Sequence, residues 1–451
     1  MPPSMKERWN NRALFSLLWP LVVEQLLAMT MGVAATVMVS PVGEFAVSGV
    51  NVIDNINNLF IITFIALSTG GAVVVSQYIG RGDAPNAGLA SRQLVYIVII
   101  ASLVIAAVAL LFREPVIRGI YGSLQDDVMD AAMTFFLFSA LSYPALALYS
   151  VCAALFRSTG DSQSPMRVSI LMNILHIAGN AFFLHWLHMG VQGVALSMLV
   201  SRILAAALIF FMLVKNSTLP VSLSGILNFK LVPSMIRQVL NIGVPTGLEQ
   251  SMFMFGRLLT QRIFPYFGTG MIAANAVASV SISVSFMAGT AFGMALLTVV
   301  GQCMGAGDIE AAKRETAKIL KIAWVAVFIT SGLTFIFRDV LTGLFNLSPD
   351  AQEAANLFLA VHSVTMLVGW TLSFTLPNAL RAAGDVRYVM LVAFISMWAI
   401  RVTAAYLLSF TFGIGPLGVW IAMAGDFLVR GICYLHRWRS GRWQRMKVID
   451  R

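Results

Sequence analysis

Two carboxylates stand where carboxylates are expensive. Glu24 lies about 11 residues into an apolar run that opens near residue 14, and Glu249 sits at the same depth in a run that opens near residue 238. At about 1.5 Å of rise per helical residue, both fall near the middle of a bilayer if these runs span one. A carboxyl group at that depth can carry a proton or meet an entering cation, and ionisable groups inside a membrane are read as functional by default. The structural alternative is a hydrogen bond to a neighbouring helix, or to backbone groups freed by Pro20 and Pro245, which precede the two glutamates by four residues.

Other groups could join them. Gln250 follows Glu249, as Gln25 follows Glu24. Arg257, eight residues after Glu249, could hold that carboxylate ionised or line a cavity. Asn51, Asp54, Asn55, Asn57 and Asn58 open the second apolar run. Asp54 and Asn58 are four apart, on one helical face, and with Asn51 form an oxygen-rich stripe suited to water or a cation. Sodium is the metal to consider, near Asp54 or Glu249. Asp426 and Arg430, also four apart, read as a structural pair. Met252, Phe253, Met254 and Phe255 suit an adaptable apolar cavity or ordinary packing. The histidines have no ligand spacing, and Cys152, Cys303 and Cys433 form neither a metal motif nor a disulfide framework. No nucleotide-binding, zinc or nucleophile-elbow motif appears, so neither an enzyme nor an ATP-driven pump is indicated.

These groups need elements to position them, and composition says which. Of 451 residues, 58% are hydrophobic and 11% charged. Soluble domains run at about 25% charged. That excludes a soluble enzyme, a disordered chain and a nucleic-acid binder, and leaves a polytopic membrane protein whose first solvent is the lipid bilayer. Apolar runs fall near 14–40, 52–79, 93–112, 129–152, 167–187, 190–214, 238–264, 272–303, 318–337, 353–378, 388–410 and 415–436. They predict twelve spanning helices; barrel strands would be short and alternating. The short basic N-terminus precedes a first run too long for a signal-peptide core, which is read as a retained span. Lys and Arg concentrate in segments 6–12, 81–92, 157–167, 215–237, 313–321, 381–387 and 437–451. Only Arg113, Arg118, Arg262 and Arg338 fall in the opposite connections. The positive-inside rule then puts both termini in the cytoplasm, and the net charge of +10 records orientation rather than an anionic partner.

The chain is one unit written twice. Pro20, Glu24 and Gln25 recur 225 residues later as Pro245, Glu249 and Gln250. Gln77 with Gly80-Arg81-Gly82-Asp83 recurs as Gln302 with Gly305-Ala306-Gly307-Asp308. Phe112-Arg113-Glu114 returns as Phe337-Arg338-Asp339, and Gly193-Val194 as Gly418-Val419. Arg157, Gly160 and Asp161 return as Arg381, Gly384 and Asp385, at an offset of 224; these loops read as tight cytoplasmic turns. Six spans per repeat make the repeats parallel. The expected domains are an N-terminal six-helix lobe (1–214), a cytoplasmic linker (215–237) and a C-terminal six-helix lobe with a basic tail (238–451). Paired lobes of this kind suit alternating access.

The run Gly243-Val244-Pro245-Thr246-Gly247-Leu248-Glu249-Gln250 resembles the start of the seventh helix of bacterial multidrug and toxic compound extrusion (MATE) transporters. Gly268-Thr269, Ala273-Ala274-Asn275-Ala276, Val300-Gly301-Gln302, Gly305-Ala306 and Arg381-Ala382-Ala383-Gly384-Asp385 are similar to further family segments. So are Gly415-Pro416-Leu417-Gly418-Val419-Trp420 and Arg439-Ser440-Gly441-Arg442-Trp443. The resemblance covers essentially the whole chain and rests on order and spacing. It implies an inner-membrane antiporter, acting as a monomer without a prosthetic cofactor. Its substrates would be organic compounds, cationic or amphipathic, and its coupling would use entry of H+ or Na+. Flipping of a lipid-linked precursor is the alternative. Three departures stand out. Ala35, in Val33-Ala34-Ala35-Thr36, replaces a common aspartate; Trp370 occupies an acidic position of some members; and Asn275 stands for a common histidine. Coupling is thereby expected to fall on Glu249, Glu24 or Asp54, with Asn58, Arg257, Gln250 and Asn275 as further ion- or substrate-binding candidates.

Overall fold

The computed structural model describes residues 5–449 except 123, 217, 218, 224, 227 and 346, and omits the side chains of 6, 32, 33, 35, 36, 284, 285 and 288. Long helices dominate: α1 (Asn11–Val39), α2 (Glu44–Arg81), α3 (Ala84–Leu111), α4 (Asp126–Thr159), α5 (Gln163–Trp186), α6 (Gly190–Lys215), α7 (Pro233–Gln261), α8 (Thr269–Gly305), α9 (Ile309–Ile336), α10 (Pro349–Ala382), α11 (Val386–Thr411) and α12 (Leu417–Arg439). Among the described residues, ten of these have a segment long and apolar enough to cross a membrane. The two others fall short for local reasons. The described part of α8 is divided into apolar stretches Thr269–Ser283 and Gly289–Gly305. Helix α7 carries Arg237, Glu249 and Arg257 and several polar residues among its apolar ones. Among the described residues the architecture is thus twelve helices in two six-helix repeats.

The chain divides into two compact units. One comprises Ala13–Gly247, the other Met1–Arg12 with Leu248–Arg451. In the first, α2 packs on α4, and α4 packs on α3 and α6. Segment 219–232 belongs to this unit: the Tyr96 hydroxyl donates to the Ile226 carbonyl at 2.7 Å, and Gln93 donates to the Lys230 carbonyl at 2.7 Å. In the second unit α8 packs on α9 and α10, and α12 on α10 and α11, around an aromatic core of Phe264, Phe358, Trp370, Trp420 and Phe427.

Each unit repeats the other's local devices. Asp83 and Asp308 cap α3 and α9, accepting from the amides of Asn86 (3.2 Å) and Ala311 (2.8 Å). Helices α4 and α10 end alike: Gly160 (φ +98°) and Gly384 (φ +96°) take the left-handed conformation that glycine tolerates. Their amides bond the carbonyls of Arg157 and Arg381 at 2.9 Å. Those arginines therefore sit in the last helical turn, where the helix dipole favours a cation. Phe182–Trp186 and Leu407–Thr411, 225 apart, are both wide π-type turns. Opposite them, a Cβ on Gly193 would lie 2.8 Å from Phe183 Cβ, and one on Gly418 would lie 2.8 Å from Leu408 Cβ and the Ser409 amide.

The repeat also breaks. Helix α4 carries Pro144, whereas α10 carries a wide turn over Met366–Thr375, and α11 has another over Ser396–Val402. Both extra turns belong to the C-terminal unit.

The glycine contacts give a prediction of opposite signs. Gly418→Ala forces a methyl onto backbone and should cost about 1–3 kcal/mol. Gly332→Ala, in α9 with nothing within 4 Å of the added carbon, should gain up to about 1 kcal/mol from helix propensity. Thermal unfolding of the two purified variants in detergent checks both signs.

Candidate functional site

Pro245 lacks the amide that would close its turn of α7, and four residues on the helix presents Glu249 to the interior of its unit. Both Glu249 oxygens accept from Arg381 Nη2, at 2.7 and 2.8 Å. Arg381 Nη1 donates to Asn378 Oδ1 at 2.8 Å, and Asn378 donates to the Phe374 carbonyl at 2.8 Å. The glutamate and arginine side chains are 8% and 7% exposed. In the other unit, Pro20 and Glu24 stand the same way on α1. Arg157 Nη2 donates to Glu24 Oε1 at 2.5 Å, and Tyr149 adds its hydroxyl at 3.5 Å. Glu24 Oε2 has no hydrogen-bond partner among the described residues. The two pairs are repeat equivalents, glutamate to glutamate at 225 and arginine to arginine at 224.

This corrects the role given to Arg257. Eight residues turn an α-helix about 80° away from the starting face, and Arg257 is exposed, with no carboxylate in ion-pairing range among the described residues. The partner is Arg381, from the Arg-x-x-Gly-Asp turn. Its sequence signal was the duplication of the arginine alongside the glutamate. Reading Arg157 and Arg381 only as cytoplasmic charges concealed it.

The stripe on α2 keeps the one-face placement its spacing predicts. Asn51, Asp54 and Asn58 share an exposed face, as their spacing requires, and the buried member is Asn57. Asn57 accepts from the Tyr143 hydroxyl at 2.7 Å and donates to Ser139 at 3.3 Å and to Asp54 at 3.5 Å. Arg202 donates to Ser142 at 2.7 Å. Gln250 is exposed beside Glu249 and Asn275 is half-buried on α8; neither is the group that binds the carboxylate, which Arg381 holds through both oxygens. Among the described residues, no three His, Cys, Asp or Glu side chains group as metal ligands.

Asp426 is more than half of an i, i+4 pair. Arg430 Nε donates to its Oδ1 at 2.7 Å, Ser396 donates to the same oxygen at 2.5 Å, and Arg401 Nη1 stands 3.7 Å from Oδ2. Rings enclose this cluster. Arg401 lies over Phe253 and Phe427 at 5.3 and 5.8 Å, and Arg430 over Phe253 and Phe374 at 5.3 and 5.8 Å. Trp370 stacks between Phe286 (4.4 Å) and Phe374 (4.1 Å). The side chain of Ala35 lies outside the described residues.

A buried ion pair adds little net stability, yet removing one partner leaves a naked charge and costs about 3–5 kcal/mol. Arg381→Met should therefore destabilise the protein by about that amount, and adding Glu249→Gln should restore most of the loss. Denaturation midpoints of the single and double variants test this, and Arg157→Met with Glu24→Gln should repeat the pattern.

Comparison with known proteins shows the same duplication. The MatE family model matches twice, over residues 20–182 and 245–407, starting at Pro20 and Pro245. An uncharacterized transporter of Bacillus subtilis, YisQ, is 32% identical over 96% of this chain and 94% of its own. A probable multidrug resistance protein NorM of Thermotoga maritima is 25% identical over 98% of this chain and 95% of its own. Crystal structures of MATE proteins in the bent and the straight conformation superpose with TM-scores of 0.89 and 0.88, at 17% identity and 96% coverage of this chain, and cover 96% and 97% of those chains. With the family model matched in both halves and a full-length relative above 30% identity, the chain belongs to the MatE family, the MATE transporters of multidrug efflux.

Proposed function

We propose that the protein exports amphipathic organic compounds in exchange for protons or sodium ions, by alternating access, with Glu249 as the principal coupling carboxylate and Glu24 as its repeat counterpart. The observation that carries this reading is the buried Glu–Arg pair, built twice from the same residue types at equivalent places in the two repeats. A ligand shifts a conformational equilibrium only by binding one state better than the other. A proton or sodium ion reaching Glu249 competes with Arg381 for the carboxylate. Neutralising the glutamate strands the guanidinium in a low-dielectric interior, which is costly in this arrangement. That cost is the differential free energy that favours a state with the arginine rehoused, and substrate release belongs to that transition.

Within the C-terminal unit Gln250, Asn275 and Arg257, and within the N-terminal unit Asp54 and Asn58, are each candidates for contact with substrate in this reading, with any bound sodium near Glu249 or near Asp54. Of the two substrate characters open to the sequence, amphipathic is preferred, because the buried cluster of Asp426 with Arg401 and Arg430 holds one more positive than negative charge. The bias of Lys and Arg supports an inner-membrane placement with both termini cytoplasmic. The two lobes of a single chain make the monomer a sufficient unit.

The test is gradient-driven efflux from proteoliposomes, with sodium and pH gradients imposed separately. Glu249→Gln should lower coupled transport by about 5- to 150-fold, the range of ordinary coupling free energies, and Glu24→Gln should lower it less. Wild-type rates in Glu249→Gln would remove it from the coupling scheme.

A further inference from the structure

The cluster of Asp426, Arg401 and Arg430 has more charge than it can satisfy. Two guanidiniums face one carboxylate. The arginine side chains are 7% and 3% exposed. Arg430 and Ser396 hold Asp426 Oδ1, whereas the Arg401 contact to Oδ2 is long. Arg401 Nε, Arg401 Nη1 and Arg430 Nη2 are buried without a hydrogen-bond partner among the described residues, as is Asp426 Oδ2, so the donors outnumber the one carboxylate oxygen left to them three to one. Unsatisfied buried donors on a charged group are costly, and a water, an ion or a ligand that supplies acceptors removes that cost. The surroundings are π-faces: Phe253, Phe374 and Phe427 flank the guanidiniums, with Trp370 stacked behind Phe374.

A cationic compound placed here would meet the repulsion of the arginines. An organic anion is matched on both counts. Its carboxylate, sulfonate or phosphate would take the free donors of Arg401 and Arg430 in the planar fork geometry that guanidinium favours, and its aromatic body would pack against the rings. We infer that Arg401 and Arg430, with Phe253 and Phe374, form a binding subsite for aromatic organic anions in the C-terminal unit. This names a substrate class for the export proposed above, and it depends on that reading only for the transport measurement.

A matched series separates charge from shape: naphthoate, its neutral amide and naphthylmethylammonium. Isothermal titration of the purified full chain in detergent should show naphthoate binding at least about tenfold more tightly than either analogue, the factor that about 1.4 kcal/mol supplies. Arg401→Gln should bring naphthoate to within about twofold of the amide while leaving the amide unchanged. Arg401→Lys, which keeps the charge and loses the fork, should fall between. Equal affinities in the wild type, a preference for the ammonium, or an undiminished preference in Arg401→Gln would overturn the assignment. Wild-type affinities alone decide the first two outcomes if the glutamine variant does not fold. Phosphatidic acid in nanodiscs provides the lipid arm: complete displacement of naphthoate by it, without naphthoate transport, would assign the site to a lipid headgroup and overturn the small-anion reading. In proteoliposomes, naphthoate left behind while other compounds move would also overturn it. If no compound moves but the binding preference holds, the subsite stands and the export reading falls.

Discussion

A charge taken out of water must find a partner, and this constraint organises both units. Burial takes Glu24 and Glu249 out of water, and Arg157 and Arg381 supply the charge that offsets it, with Tyr149 adding a hydroxyl to Glu24. The reach depends on helix ends. Glycine caps stop α4 and α10 just after each arginine, and the last-turn position gives the guanidinium a favourable dipole and a side chain free to run back along the helix. The prolines of α1 and α7 perturb the helix one turn before each glutamate. Proline, glutamate, arginine and glycine are one device distributed over two distant helices, which is why the four recur together.

Duplication explains the likeness of the units, and the departures from it show where the C-terminal unit has been specialised. Wide turns over Met366–Thr375 and Ser396–Val402 have no counterpart in the first repeat. An extra residue per turn rotates the remainder of the helix, and here the two turns contain Trp370 and Arg401. The aromatic stack and the loosely held guanidinium thus lie where the second repeat abandons the first. Asp385 shows the same divergence at smaller scale. Asp161 bonds the amides of Gln163 and Ser164 at its own turn, whereas Asp385 takes the Arg437 guanidinium through both oxygens, at 2.6 and 3.1 Å.

The sequence made the membrane class, the helix number, the two repeats and the glutamates legible, because each is written in long patterns: apolar runs, a constant offset, isolated charges. Partners were harder. Arg257 looked close to Glu249 along the chain but faces elsewhere, and Arg381, 132 residues away, is the one that touches it. Spacing on a single helix gives a face without saying which face is inside. The same gap hid Asn57, the buried neighbour of the exposed stripe of Asn51, Asp54 and Asn58. Asp426 and Arg430 were correctly paired, since their contact is local, while Arg401 came from α11 and could be supplied only by tertiary packing. Trp370 was visible as a replaced acid; its role as the centre of an aromatic stack required neighbours from α8 and α12.

The two charged centres of the C-terminal unit have different balances, and they are physically contiguous. Glu249 with Arg381 is neutral; Asp426 with Arg401 and Arg430 is positive. Between them runs α10. Arg381 is held by Asn378, Asn378 donates to the Phe374 carbonyl, and the Phe374 ring lies under Arg430 and against Trp370. The turn that carries Phe374 is the wide π-type one over Met366–Thr375. A cation that frees Arg381 therefore disturbs Asn378 first, and through it the residue whose ring packs against Arg430. In a tightly packed interior such shifts pass to neighbours rather than being absorbed. Coupling between an ion at Glu249 and an organic anion at Arg401 then needs no contact between the two ligands, only that α10 has two arrangements which each ligand weights differently.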